Sequence, residues 1–150
     1  MKPLMRTISW KFNDCIIAYP EAPQRKVYIL NPGDIYENFS FIFRQQVRER
    51  FVVFWLNSAN RVIGFEIITE GLLNSSLTHP REVFRGAIVA TCASIIIAHN
   101  HPSGNLEPSA EDLSITNQIV SAGKLLGIPV HDHIIFTDES YTSFAEKGLI

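Results

Sequence analysis

The chain has few features that would hold a fold together, or anchor it, from outside its own core. Its 150 residues include two cysteines, Cys15 and Cys92. Two thiols build no disulfide framework of the kind small secreted domains use, so a reducing, cytoplasmic setting is expected. No apolar run approaches the ~20 residues that cross a bilayer, so no membrane association is expected. The opening Met1 to Trp10 has neither a long apolar centre nor a small-residue cleavage site, and no signal peptide is read there. Charge of either sign is scarce: 13 Lys and Arg against 15 Asp and Glu leave a net −2. That balance argues against a protein whose main task is gripping phosphate backbones, so a nucleic-acid partner has no support from charge. There is no repeat, low-complexity tract or linker. What remains is a chain with 46% hydrophobic residues, enough for one core, and residues 1–150 are read as a single domain.

Along the chain, Thr7 to Tyr19 carry β-branched and aromatic residues without a clear period and are read only as edge structure. Lys26 to Leu30 reads as a short strand, followed by the turn and capping residues Asn31 to Asp34. Tyr36, Phe39, Phe43 and Val47 recur at helical spacing, which predicts a helix from Ile35 to about Glu49. Arg44, Arg48 and Arg50 would then match the negative end of its dipole. Phe51 to Leu56 and Arg61 to Ile68, separated by Asn57 to Asn60, read as an antiparallel hairpin at the centre of the sheet. His79-Pro80 starts a helix in which Val83, Phe84, Ala87, Ile88 and Thr91 face inward, with His79 as a capping or surface residue. Cys92, at its end, reads as a packed small residue and not as a nucleophile. A strand from Ser94 to His99, a helix from about Ala110 to Leu126 closed by Gly127, a strand from Pro129 to Phe136 and a closing strand and turn from Tyr141 to Lys147 complete an α/β sandwich with a mixed sheet.

The chemistry gathers between Ile95 and Asp112. Residues two apart share a strand face, so His99 and His101 point one way and Asn100 the other. Pro102 ends the ladder, and a helix opens at Ser109. Ser109 and Asp112 form a capping box by spacing alone. Asp112 also lies three residues before Ile115 and seven before Ile119, on the inward stripe, and the return loop is short. Two imidazoles and a carboxylate at a strand end are the ligands of a zinc site with one position open to water. Ser109 would then also donate to an oxyanion formed beside the metal. The water's proton needs a base that is not a ligand. Glu66, a carboxylate on an otherwise apolar strand where burial would raise its pKa, is the first candidate and Glu70 the second.

Glu66, then His99-Asn100-His101-Pro102, six residues, and Ser109-Ala110-Glu111-Asp112 resemble the JAMM signature of the JAB/MPN metallopeptidase superfamily. Leu73 to Ser76, His79 to Phe84, Ala98 to Gly104, Asp132-His133 and Ser143 to Ile150 resemble its RadC branch. The resemblance runs from about Phe51 to the C-terminus. It implies a cytidine-deaminase-like sheet flanked by helices and zinc (Zn²⁺) on His99, His101 and Asp112. It further implies hydrolysis of a peptide or isopeptide amide in a peptide or protein substrate, with Glu66 activating the water and Ser109 stabilising the oxyanion.

Two departures bear on that implication. Longer RadC proteins carry a helix-hairpin-helix module associated with DNA, and the residues before Phe51 do not accommodate one. His131 adds an imidazole where relatives commonly have an apolar residue; alternation would place it on one strand face with His133, and both are read as polar lining of a site or sheet edge in preference to a second metal site. Two other functions stay open from the sequence: a DNA-repair accessory factor in which the metal is structural, and an Fe(II) facial triad. The latter typically sits on all-β barrels, unlike this alternation of helix and strand.

Overall fold

In the computed structural model, residues 5, 7–13, 19–71 and 78–150 are described. Five strands form one mixed sheet in the order β2-β1-β3-β4-β5, with β1 Glu49–Leu56, β2 Val62–Gly71, β3 Ser94–Asn100, β4 Val130–Phe136 and β5 Tyr141–Ser143. β3 and β4 run parallel and every other pair is antiparallel. A parallel pair needs a crossover, and the 17-residue helix α3, Ala110–Leu126, supplies it. Helices α1, Pro32–Phe39, and α2, Pro80–Val89, precede it.

The pleat divides the sheet's side chains between two cores. Val52, Phe54, Leu56, Ile96, Ala98 and Phe136 pack with Ile35, Phe39 and Phe43 from the α1 side. Phe51, Val53, Trp55, Ile95 and Ile97 pack on the other side with Phe84 and Ala87 of α2 and Ile115 and Ile119 of α3. β3 is buried along its whole length, as a strand covered on both faces must be.

Several expectations are corrected. β3, and not the β1–β2 hairpin, is the middle of the sheet, and β2 is an edge strand. The expected strand over residues 26–30 reduces to one bridge between Tyr28 and Arg61, because the Asp34 carboxylate accepts the backbone N–H groups of Leu30 and Asn31 and bends the chain into α1. α1 ends at Phe39, followed by a 3₁₀ turn, Ser40–Ile42, and Gln45 takes a left-handed φ of 56°. Val47 is consequently 87% exposed, and the nearby arginines do not sit on a helix end. Ile88 and Thr91 are exposed as well. Residues 7–13 carry no regular element, and residues 14–18 and 72–77 lie outside the described ones. Among the described residues no helix is long and apolar enough to cross a membrane.

Candidate metal centre

β3 ends on the α2–α3 side with His99 facing that core and Asn100 facing away. His99 is fully buried against Phe51, its cross-strand neighbour. Asn100 instead bridges backbone, accepting from Arg50 N at 2.7 Å and donating to Arg48 O at 3.0 Å. The last ladder bond comes from His101 N to Phe136 O, after which Gly104, at φ 80°, turns the chain back toward α3.

Ser109 caps α3 reciprocally. Its hydroxyl accepts from Asp112 N at 3.0 Å, while its own N–H donates to Asp112 Oδ2 at 2.7 Å. A cap of this kind stabilises a helix by about 1 kcal/mol. It does not use up Asp112: the buried carboxylate also places Oδ1 3.1 Å from His99 Nε2 and Oδ2 3.3 Å from His101 Nε2. The capping and ligand readings of Ser109-x-x-Asp112 therefore coexist in one side chain.

The two imidazole Nε2 atoms stand 2.9 Å apart, and His99, His101 and Asp112 form a cluster able to hold a metal ion. Ligand bonds of about 2.0–2.1 Å at tetrahedral angles put ligand atoms about 3.3–3.4 Å from one another. The carboxylate meets the two Nε2 atoms through different oxygens, Oδ1 at 3.1 Å and Oδ2 at 3.3 Å, and the two Nε2 atoms are 2.9 Å apart; each separation lies near that spacing, so the residues present fit such an ion. His101 Nδ1 lies 2.6 Å from the Asn105 carbonyl, which can only accept, so Nδ1 carries the hydrogen. Electrostatics agree. The Asp112 carboxylate, accepting beside the ring, raises His101 against the opposing effect of burial. Burial pushes Asp112 upward, yet the neighbouring His101 and His99 rings and the Ser109 N–H hold its carboxyl well below the usual carboxylate range. The pocket favours positive charge beside an ionised Asp112, the condition a divalent cation meets.

Glu66 lies on β2 opposite Val53, which in turn faces Ile97 of β3, so it shares the α2–α3 face of the sheet with His99. Its carboxylate is 29% exposed and pairs with Arg85 at 3.4 Å, outside the histidine–aspartate cluster. The expected buried, unpaired carboxylate is thus corrected: β2 is an edge strand, and an edge leaves room for solvent and for Arg85 of α2. Glu70 is engaged by Arg50 at 2.9 Å, while Arg50 also donates to the Ile42 carbonyl on the α1 side. His79 caps α2 as expected, accepting from Arg81 N at 3.1 Å. Burial raises the Cys92 thiol, in keeping with a packed residue.

His131 and His133 do not share a surrounding. A register shift opposite Ile95 and Ile96 inserts an extra residue in β4. His131 is left exposed beside Asp132 and Glu146. His133 is fully buried, with Nε2 2.8 Å from His99 Nδ1 and Nδ1 2.6 Å from Thr116 Oγ1. Burial, followed by the neighbouring His99, pushes His133 well below its ordinary value. No motif in the sequence marks Thr116; its place one turn after Asp112, inside an apolar stripe, is the signal the sequence carries for it.

The fold and cluster together define an α/β domain with a possible metal site at the end of its central strand, consistent with a JAB/MPN fold. Residues 29–149 match the RadC-like JAB domain family, and the chain belongs to it. It is 42% identical over 132 residues to a UPF0758 protein of Methanosarcina acetivorans, covering 88% of this chain and 57% of that protein. It is 45% identical over 129 residues to one of Symbiobacterium thermophilum, 86% and 55%, and 47% identical over 123 residues to one of Staphylococcus haemolyticus, 82% and 54%. The chain thus spans a little over half the length of these relatives.

Proposed function

We propose that this domain is a zinc-dependent amide hydrolase acting on a peptide or protein substrate. The reading rests chiefly on one observation: two imidazole Nε2 atoms and a carboxylate meet within 2.9–3.3 Å at the end of a buried strand. The family to which the chain belongs supports a hydrolase in the same direction.

His99, His101 and Asp112 would hold the ion. Zinc bound there supplies a water acidic near neutral pH and a Lewis acid for the scissile carbonyl. Glu66 accepts the proton of the attacking water and returns it to the leaving nitrogen, one proton in and one out. For this its carboxylate leaves Arg85, a partner on a half-exposed side chain held at 3.4 Å, where the pairing is weak. Ser109 receives a hydrogen bond from Asp112 N, so its own O–H stays available to donate to the oxyanion.

The test combines metal analysis with a screen of peptide and isopeptide bonds, using the wild-type chain and Glu66→Gln. About one zinc per chain in both, with hydrolysis lowered about 10²- to 10⁴-fold in the variant, is expected. A chain that cannot be reconstituted with zinc, or a variant that cleaves as well as wild type, overturns the proposal.

A further inference from the structure

The His99 ring is held from behind by a chain of hydrogen bonds that returns to the backbone of another member of the cluster. His99 Nδ1 meets His133 Nε2 at 2.8 Å, His133 Nδ1 meets Thr116 Oγ1 at 2.6 Å, and Thr116 Oγ1 meets the Asp112 carbonyl at 2.6 Å. Three elements are tied by it, β3 through His99, β4 through His133 and α3 through Thr116 and Asp112. His99 and His133 are fully buried and Thr116 nearly so, so water does not compete for these bonds.

Counting hydrogens fixes their direction. A carbonyl only accepts, so the single hydroxyl hydrogen of Thr116 goes to Asp112 O. Thr116 Oγ1 must then accept from His133, whose Nδ1 carries the hydrogen. A neutral His133 has a bare Nε2, which accepts from His99 Nδ1–H. His99 Nε2 is left with its lone pair, facing Asp112 Oδ1 and His101 Nε2. The reverse arrangement buries an imidazolium at His133 and puts a hydrogen on His99 Nε2, the atom a metal requires bare.

We infer that Thr116 and His133 are positioning residues for the metal: a relay from His99 through His133 and Thr116 to the Asp112 carbonyl fixes the His99 tautomer and aims its Nε2 at the ion. This rests on the metal reading proposed above. Metal-bound histidines commonly hand their second N–H directly to a carboxylate or carbonyl. Here the carbonyl acceptor is reached through two intervening side chains, so one methyl-for-hydroxyl exchange at Thr116 removes the group that sets the direction of the relay.

The experiment uses the zinc-loaded protein and reads two quantities. Competition with a chromophoric chelator gives zinc affinity, and long-range ¹H–¹⁵N correlation of the imidazoles gives the tautomers. Thr116→Val and His133→Phe are each expected to weaken zinc about 10- to 100-fold, and Thr116→Ser to restore it, with thermal unfolding followed for every variant. In wild type His133 should carry hydrogen on Nδ1 alone. Zinc affinity within threefold of wild type in both Thr116→Val and His133→Phe overturns the relay, as does a wild-type His133 bearing hydrogen on Nε2. Failure of the wild type to bind zinc, or zinc binding undiminished by His99→Ala, overturns the metal reading and the relay with it. Loss of zinc in His99→Ala but not in the relay variants overturns the relay alone.

Discussion

The Glu66 carboxylate fills the space that a side chain on Gly86 would need. A Cβ built on Gly86 overlaps Glu66 Oε2 and lies 2.7 Å from Trp55 Cζ2, so α2 meets the sheet here with a bare backbone. Glycine inside a helix costs about 1 kcal/mol relative to alanine, and the close approach explains its presence. Gly86→Ala is expected to displace Glu66 and lower amide hydrolysis at least tenfold while zinc content stays at wild-type level. Helix propensity and the strain on Trp55 oppose one another, so unfolding free energy should change by less than about 2 kcal/mol. Turnover and zinc content measured together check this; turnover equal to wild type would mean that Glu66 acts equally well from a displaced position.

Metal removal should be visible in stability, because a ligand bound only by the folded state stabilises it. At free zinc 100-fold above the dissociation constant the gain is about 2.7 kcal/mol, or roughly 5–11 °C in Tm for a domain of this size. Chelation is expected to lower Tm by that order in wild type and to leave His99→Ala, His101→Ala and Asp112→Ala unchanged. Differential scanning with and without chelator decides it.

Asn100 is placed to hold the strand ends together. Its amide spans Arg50 N and Arg48 O, and truncation to alanine strands both backbone groups. Asn100→Ala should destabilise by about 1–3 kcal/mol in urea unfolding. A loss below about 0.5 kcal/mol would show that water replaces the side chain.

Asp132 provides a pH test away from the cluster. Burial raises its carboxyl, while hydrogen bonds from Ser143 Oγ and from the Ala145 and His133 N–H groups pull the other way. With the folded value raised, the folded state binds this proton more tightly than the unfolded chain. The resulting stabilisation is complete below the unfolded carboxylate value and is lost as pH rises through the folded one. Asp132→Asn removes the titration. The wild-type Tm minus the variant Tm should therefore fall between about pH 3.5 and pH 7; a constant difference across that range would contradict it.

Local pattern made much of this protein legible in its sequence. The hairpin of β1 and β2, the caps at His79 and Ser109, the left-handed stop at Gly127 and the opposite facing of His99 and Asn100 all follow from period, turn residues and cap residues acting within a few positions. The convergence of His99, His101 and Asp112 was legible too, because a short loop leaves the chain few ways to return. Other features depended on which element lies beside which, something no spacing encodes. Tertiary structure alone made β2 an edge, which exposes Glu66 and gives it Arg85. It ended α1 early and left Val47 in solvent. It also inserted the extra residue in β4 that separates His131 from His133, sending one to the surface and the other behind His99. The residue types and spacings determined a candidate ligand set. Packing between β3, β4 and α3, which buries Thr116 and His133 where each has only one hydrogen to give, decided how that set is held.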